Sequence, residues 1–509
     1  MKKSLPLFLF GIILINVIAL YPCLNNGFVN WDDNEYVVYN TDIRELNRDT
    51  IKRIFSSHYQ GAFVPLTILT FALEYKIAGI NPQIYHATNL ILHILNSLMV
   101  FWLVMLLFEN PLIALITAVF FSIHPLQVEP VAWVTGRKDL LYSIFYLGAC
   151  ITYIYYFLNK RIMLYIISAL IFTFSMLSKP FAITLPLLLF TFDYQLKRRF
   201  DLSSFLEKLP FLVLAVLLFF ITIKTQQVAG AVPGSFINPN NLVLAFNNIT
   251  FYLWKTLMPI NLSPIYPYYN TWWYIIVIIL LVAAIIYSRS RAIIFGALFF
   301  IITLLPAMQL VRIGQPIADR YVYIPLIGLF IIIAWVANKY ISRSNLLKIV
   351  IISIIIACAS ICTYMSHQRC KVWKNSITLW QDAIKKWPQL SLGHNTLGIA
   401  YAQKNRLNDA ITEFTRAIEL KPDYAEAYNN RGNALGQLGD MQAALNDFNN
   451  AINLNPGLAD AYYNRAIIHI IQKNYDIALL DLYAVKRLGG YVPDDMIREL
   501  ETRIYALDK

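Results

Sequence analysis

The sequence predicts an all-α membrane protein in two parts, a polytopic domain over residues 1–365 and a solenoid of helical repeats over 366–509. Three observations carry this. The chain has 509 residues, of which 58% are hydrophobic and only 14% charged. Apolar runs of roughly 17–25 residues, the length that crosses a hydrocarbon core of about 30 Å, recur along its first two-thirds. Beyond residue 366 charged and amide side chains return every few positions, and no run reaches spanning length.

Basic residues fall in the short gaps between apolar runs: Lys2 and Lys3, Lys160 and Arg161, Lys197 with Arg198 and Arg199, Arg289 and Arg291, then Lys339 and Arg343. Cytoplasmic loops carry this bias, so the formal charge of +12 reads as membrane orientation and excludes a nucleic-acid interface. The first run, "LPLFLFGIILINVIALYPCL", ends without a small-x-small cleavage site and reads as an uncleaved first helix with its N-terminus in the cytoplasm. Crossings are expected near 5–24, 86–108, 111–124, 140–158, 162–177, 181–196, 209–224, 272–288, 292–307, 321–338 and 347–365. That makes about eleven transmembrane helices and puts the repeats on the outer side. Two weaker stretches are expected at the outer interface, "FVPLTILTFALEYKIAGI", interrupted by Glu74 and Lys76, and residues 240–258. Cys23, Cys150, Cys358, Cys362 and Cys370 form neither a metal-ligand spacing nor a disulfide framework.

In this threading the unusual polar residues collect outside. "NWDDNEYVVYN" (30–40) follows the first helix, "HPLQVEPVAWVTGRKDLL" (124–141) forms the second outer loop, "SKP" (178–180) the third, and "VRIGQPIADRYVYIP" (311–325) the last. Ionisable residues at a membrane boundary cost free energy unless paired or hydrated, which makes them functional candidates.

The tail repeats itself every 34 residues: Gly398, Gly432 and Ala466; Ala410, Ala444 and Ala478; Phe414, Phe448 and Leu482; Pro422 and Pro456. Small residues where two helices touch, an aromatic in the second helix and a closing proline are the tetratricopeptide signature. A half repeat is expected at 376–388, full repeats at 391–424, 425–458 and 459–492, and a polar capping helix at 494–507. Such arrays offer a concave face to extended peptides or protein partners, a spacer being the alternative.

An inverting sugar transfer from a lipid phosphate needs one carboxylate to take the acceptor's proton and cations to hold a leaving group that is stable unprotonated. The outer loops hold that inventory: Asp32 and Asp33; His124, Glu129, Arg137 and Asp139; Lys179; Arg312, Asp319, Arg320 and Tyr321. Blander readings stand beside it. The acids can solvate a loop, Arg137 and Asp139 can anchor a helix start, Lys179 can snorkel, and His124 can be a satisfied turn residue. A divalent ion on Asp32, Asp33 and His124 is an alternative that no ligand spacing supports.

"NWDDNEYVVYNTDI", "VPLTILTFALEYKIAGINPQIYHATNLILHILN", "HPLQVEPVAWVTGRKDLL", "LSKPFAITLPLLLFTFDY" and "IADRYVYIP", in that order and followed by repeats, resemble the transmembrane and tetratricopeptide repeat-containing O-mannosyltransferases of the C-type glycosyltransferase superfamily. The resemblance covers nearly the whole chain and implies a membrane hexosyltransferase. Its donor would be a polyprenyl-phosphate sugar, mannose or another hexose, and its acceptor Ser or Thr of an exported protein held by the repeats. It implies Asp32 as base, with Asp33 positioning or binding the acceptor as the second catalytic acid. Arg137, Lys179 and Arg320 would contact the phosphate, with Glu129, Asp139, Tyr321 and His124 in the substrate site. Small size and compact loops suggest a bacterial member of the inner membrane, or the lumenal face of the endoplasmic reticulum in a eukaryote. Three rivals remain: transfer to an envelope glycan or lipid, a non-catalytic envelope scaffold, and a transporter, the last disfavoured because the polar residues gather at one face.

Overall fold

The computed structural model describes residues 5–228, 239–267, 274–310 and 315–507, so Lys2, Lys3 and Arg312 lie outside the described residues. Among those residues the secondary structure is helical, apart from one isolated bridge between Tyr59 and Ala62. Contacts divide the chain into two units, Met1–Asn375 and Ser376–Lys509.

The first unit contains α1 (Leu5–Leu20), α2 (Arg48–Ser56), α3 (Pro65–Ala78), α4 (Pro82–Phe108), α5 (Pro111–Ile123), α6 (Val128–Ala132), α7 (Arg137–Asn159), α8 (Ile162–Ser178), α9 (Leu185–Gln195), α10 (Leu202–Val228), α11 (Pro239–Leu257), α12 (Tyr274–Ser288), α13 (Arg291–Leu304), α14 (Leu326–Ile341) and α15 (Asn345–Val372). Helix starts follow local chemistry. Asn81 and Asn110 each precede a proline, and their side chains accept from the first backbone N–H groups of α4 and α5. Asparagine supplies the capping oxygen, and proline, which lacks an N–H, sits where none is needed. Left-handed residues Glu109 and Lys160 end α4 and α7 and permit tight returns into α5 and α8.

Among the described residues, six helices are long and apolar enough to cross a membrane, or seven if α5 and α6, bent by 58°, form one broken span. Eleven crossings were expected. The shortfall lies in helices shorter than the roughly 20 residues that cross a hydrocarbon core: α8 has 17 residues, α14 has 16, α12 has 15 and α9 only 11. The expected 181–196 segment divides because Pro180 and Pro186 sit at helix starts, giving a 3-10 turn over Pro180–Thr184 before α9. Helix α15, with mean hydropathy 2.5, buries 6% of its most apolar window, so its Ile and Leu side chains face outward as lipid contact demands. The boundary falls beyond 365 because the polar end of α15 still belongs to the first unit. Ser366 donates to the Ile123 carbonyl (2.7 Å), and Asn26 donates to that of Cys370 (3.1 Å).

Helices α13 and α14 cross backbone to backbone. A Cβ on Gly296 would lie 2.6 Å from the Gly328 carbonyl oxygen, and one on Gly328 would be closer still to that of Gly296. Small residues allow this approach, which supplies dispersion where no hydrophobic effect operates between helices.

The second unit contains α16 (Ser376–Lys386), the pairs α17–α18 (Ser391–Ala402, Leu407–Leu420), α19–α20 (Ala425–Gln437, Met441–Leu454) and α21–α22 (Ala459–Ile471, Tyr475–Arg487), and α23 (Asp494–Leu507). The 34-residue period has a packing cause. A Cβ on Gly398 would lie 2.5 Å from the Phe414 ring, and one on Gly432 2.8 Å from that of Phe448. The same period carries paired ions that the sequence reading missed. Arg431 holds Asp447 and Arg465 holds Asp481 through two bonds each of 2.7–2.9 Å.

Replacing Gly328 with leucine is expected to cost about 1–3 kcal/mol through overpacking and to lower the thermal midpoint in detergent. Gly11→Ala, where nothing lies within 4 Å of the added Cβ, should leave the midpoint unchanged.

Candidate active site

Two segments build the site: the loop after α1 and residues 124–139. Gly136 folds the second segment back on itself, since a Cβ there would lie 2.6 Å from the Pro130 carbonyl oxygen. Asn89 of α4 closes the fold, donating to the Trp133 carbonyl (2.9 Å) and accepting from Arg137 Nε (2.5 Å).

Asp33 joins the two segments. One carboxylate oxygen accepts from Val29 N–H (2.9 Å), and the other accepts from Thr135 N–H (3.0 Å) and Thr135 Oγ1 (2.6 Å). Its surface is 0% exposed. Burial pushes the carboxyl up to about 7, opposed by the donors of Thr135 and Val29. Both oxygens are occupied, so Asp33 braces the loop.

Asp32 differs. Its side chain is 27% exposed and touches one cation, Lys138, with Oδ2 3.3 Å from Nζ. The next residues, Asn34–Val38, wind as a π-helix, a local widening that often marks functional sites.

The first turn of α7 sends three consecutive charges to three partners. Arg137 spends all five N–H donors inside the protein, on Asn89, Thr70, both Glu74 oxygens and the Tyr85 carbonyl. It is 0% exposed and has no donor left for a ligand, which corrects the expectation of a phosphate contact. Glu74, expected in an interfacial helix, is buried by this pairing. Lys138 reaches Asp32, and Asp139 Oδ1 lies 2.5 Å from Lys179 Nζ.

Lys179 and Arg320 share an aromatic setting. Lys179 Nζ lies 4.1, 5.5 and 5.7 Å from the ring centroids of Phe181, Tyr321 and Tyr142. Burial pushes its ammonium down to about 8, against the pull of Asp139. Arg320 pairs with Glu129, donates to Gln315 Oε1 (2.8 Å) and packs on the rings of Trp133 (5.2 Å) and Tyr321 (5.1 Å). Glu129 Oε2 and Asp139 Oδ2 are buried without a hydrogen-bond partner among the described residues. Asp319 accepts from the Tyr266 hydroxyl (2.5 Å), and burial followed by the Glu129 charge pushes its carboxyl up to about 7.

The fold therefore connects Asp32, Lys138, Trp133, Arg320, Tyr321, Lys179, Glu129 and Asp139 through neighbouring contacts. His124 stands apart as a turn residue, with Nδ1 accepting from Leu126 N–H (3.3 Å) and Nε2 facing the Thr256 carbonyl (3.0 Å). Among the described residues no three His, Cys, Asp or Glu side chains cluster to hold a metal. Sequence reasoning missed Thr135, Trp133 and Lys138, although all lie in the stretch it singled out.

Known proteins bear on this architecture. Two repeat models match the tail, "TPR repeat" over residues 398–439 and "Tetratricopeptide repeat" over 425–458. A protein O-mannosyl-transferase of Caenorhabditis elegans is 27% identical over 445 residues, covering 78% of this chain and 60% of that protein. The chain is similar to the protein O-mannosyl-transferases. The Homo sapiens protein O-mannosyl-transferase TMTC4 is 24% identical over 468 residues, 76% of this chain and 63% of its own length. The Homo sapiens protein O-mannosyl-transferase TMTC3 is 34% identical over 137 residues, 25% of this chain and 14% of its own. This chain thus spans about 60% of the length of the first two protein O-mannosyl-transferases. Among solved structures, "Crystal structure of MamA protein" is 27% identical over 22% of this chain and 62% of that one, with a TM-score of 0.21.

Arg137→Lys cannot reproduce the fork to Glu74 and leaves a buried carboxylate short of donors. A loss of about 3–5 kcal/mol is expected, read as a lower unfolding midpoint in detergent.

Proposed function

We propose that this chain is an integral membrane glycosyltransferase. It moves one hexose, mannose or another, with inversion from a polyprenyl-phosphate donor to Ser or Thr hydroxyls of an exported protein. The repeats recruit that protein, and the reaction runs on the outer face of the membrane, the periplasmic face of a bacterial inner membrane. The observation that carries the reading is the asymmetry of the acid pair. Asp33 has both oxygens occupied, whereas Asp32 is solvent-reachable and paired with Lys138.

Asp32 takes the proton of the acceptor hydroxyl as its oxygen attacks the anomeric carbon. The bond from that carbon to the phosphate oxygen breaks, and the polyprenyl phosphate leaves with the electron pair. Lys179 and Arg320 hold the phosphate, because cations in a low-dielectric setting stabilise developing charge without reorganising. Glu129 and Asp139 keep these cations in place, and their unpartnered oxygens accept sugar hydroxyls. Arg137 and Asp33 hold the frame. The kinship to protein O-mannosyl-transferases supports the reaction class.

Asp32→Asn should lower kcat about 10²–10⁴-fold with purified lipid donor and acceptor peptide, as expected for loss of a general base. Full activity would remove Asp32 from that role. Hexose lost from Ser or Thr of exported proteins in a deletion strain supports a protein acceptor, and an unchanged proteome with altered envelope glycan points to a glycan.

The donor's kcat/KM should fall as pH rises through about 8, where Lys179 loses the proton that gives it charge. Lys179→Arg, whose guanidinium stays charged, should remove that alkaline fall.

A further inference from the structure

Lys138 belongs to none of the roles assigned above, yet it forms an ion pair with the proposed base. Its ammonium lies 3.3 Å from Asp32 Oδ2, and the side chain is 12% exposed. Two aromatic rings fix it from other sides, Tyr36 at 4.8 Å and Trp133 at 5.1 Å between Nζ and ring centroid. Trp133 is fully buried and stacks on Trp373 (6.2 Å between centroids), and Tyr36 is 1% exposed and donates to the Tyr59 carbonyl (3.0 Å). The box that holds the lysine is therefore itself rigid. A free lysine on a flexible stem would lose about 2 kcal/mol of rotamer entropy in taking one geometry. Here the rings and the helical position restrict it before any substrate arrives.

The consequence falls on Asp32. A carboxylate on a loop has two interchangeable oxygens and a freely turning final torsion. The ion pair occupies Oδ2, and Oδ1 has no hydrogen-bond partner among the described residues. Asp33 secures the loop backbone and Lys138 secures the side chain at its tip. From this geometry we infer that Lys138 is a positioning residue for the reaction, pinning Oδ2 of Asp32 so that Oδ1 alone faces the acceptor hydroxyl.

Lys138 touches neither sugar nor phosphate in this account and acts through Asp32, which distinguishes it from Lys179 and Arg320. The inference rests on the reading of Asp32 as proton acceptor. Neutralising the lysine should slow the chemical step and leave donor binding in place.

The full-length protein in detergent, assayed with a polyprenyl-phosphate hexose and an acceptor peptide, tests this. Lys138→Met keeps the stem against the rings and removes the charge. It should lower kcat by about 10–100-fold, the penalty for a misplaced reacting group, with donor KM within about twofold. Lys138→Arg should recover most of the loss. In the Asp32→Asn background, Lys138→Met should cause no further loss, because the residue it orients is gone. A raised donor KM with unchanged kcat would make Lys138 a phosphate contact and overturn the inference. Full activity in Lys138→Met, or an additive loss in the double variant, would overturn it as well. Full activity in Asp32→Asn would instead remove the base on which the inference rests, so the two failures are separate. An unchanged melting temperature excludes misfolding as the cause, and Lys138→Arg, which keeps charge and stem, gives a second reading if Lys138→Met is unstable.

Discussion

The buried carboxylate of Asp33 is the constraint from which the rest of the site follows. An ionised carboxylate removed from water needs several donors, and its three come from two distant stretches of chain, Val29 and Thr135. Satisfying that group joins the loop after α1 to the segment preceding α7. Once joined, Asp32 can only point away from the brace, toward the first turn of α7, where Lys138 waits. The two acids are adjacent in sequence, yet Asp33 is buried with both oxygens occupied and Asp32 is partly exposed beside Lys138.

The same logic runs through the cations. Arg137, Lys179 and Arg320 are each buried beside a carboxylate, Glu74, Asp139 and Glu129 respectively. An unpaired charge in this setting would cost several kcal/mol, so pairing is obligatory before function is considered. What separates scaffold from site is the capacity left over. Arg137 has none, because a fork with five donors meets five acceptors. The pairs of Lys179 and Arg320 each leave one buried carboxylate oxygen without a partner among the described residues, at Asp139 and Glu129. Unused hydrogen-bonding capacity in a buried cluster is an unfavourable state of the free protein, and a polar ligand relieves it.

The repeat unit solves a different problem with a simpler rule. Each helix pair cannot bury its apolar face alone, so a glycine meets the ring of Phe414 or Phe448, and the next pair covers what remains. The Arg431–Asp447 and Arg465–Asp481 forks repeat on the same step. Stability there is local and additive, whereas in the first unit contacts between residues a hundred or more positions apart decide the arrangement.

By itself the sequence determined the helical class, the apolar segments, the repeat period and the stretches where charge is concentrated, since each depends on composition, spacing or a cap next door. The caps of α4 and α5 show how short that range is, since Asn81 and Asn110 accept from backbone N–H groups two or three residues on. Only the tertiary structure decided which acid of the pair is open, that Arg137 answers to Glu74, that Lys138 rather than Arg137 faces Asp32, and that α9 is too short to span. The physical reason is the range of the forces. Periodicity and capping act within a few residues, whereas burial and ion pairing act across 63 residues between Glu74 and Arg137, 106 between Asp32 and Lys138, and 191 between Glu129 and Arg320. A side chain's chemistry is written at its own position, and its partner is chosen by the fold.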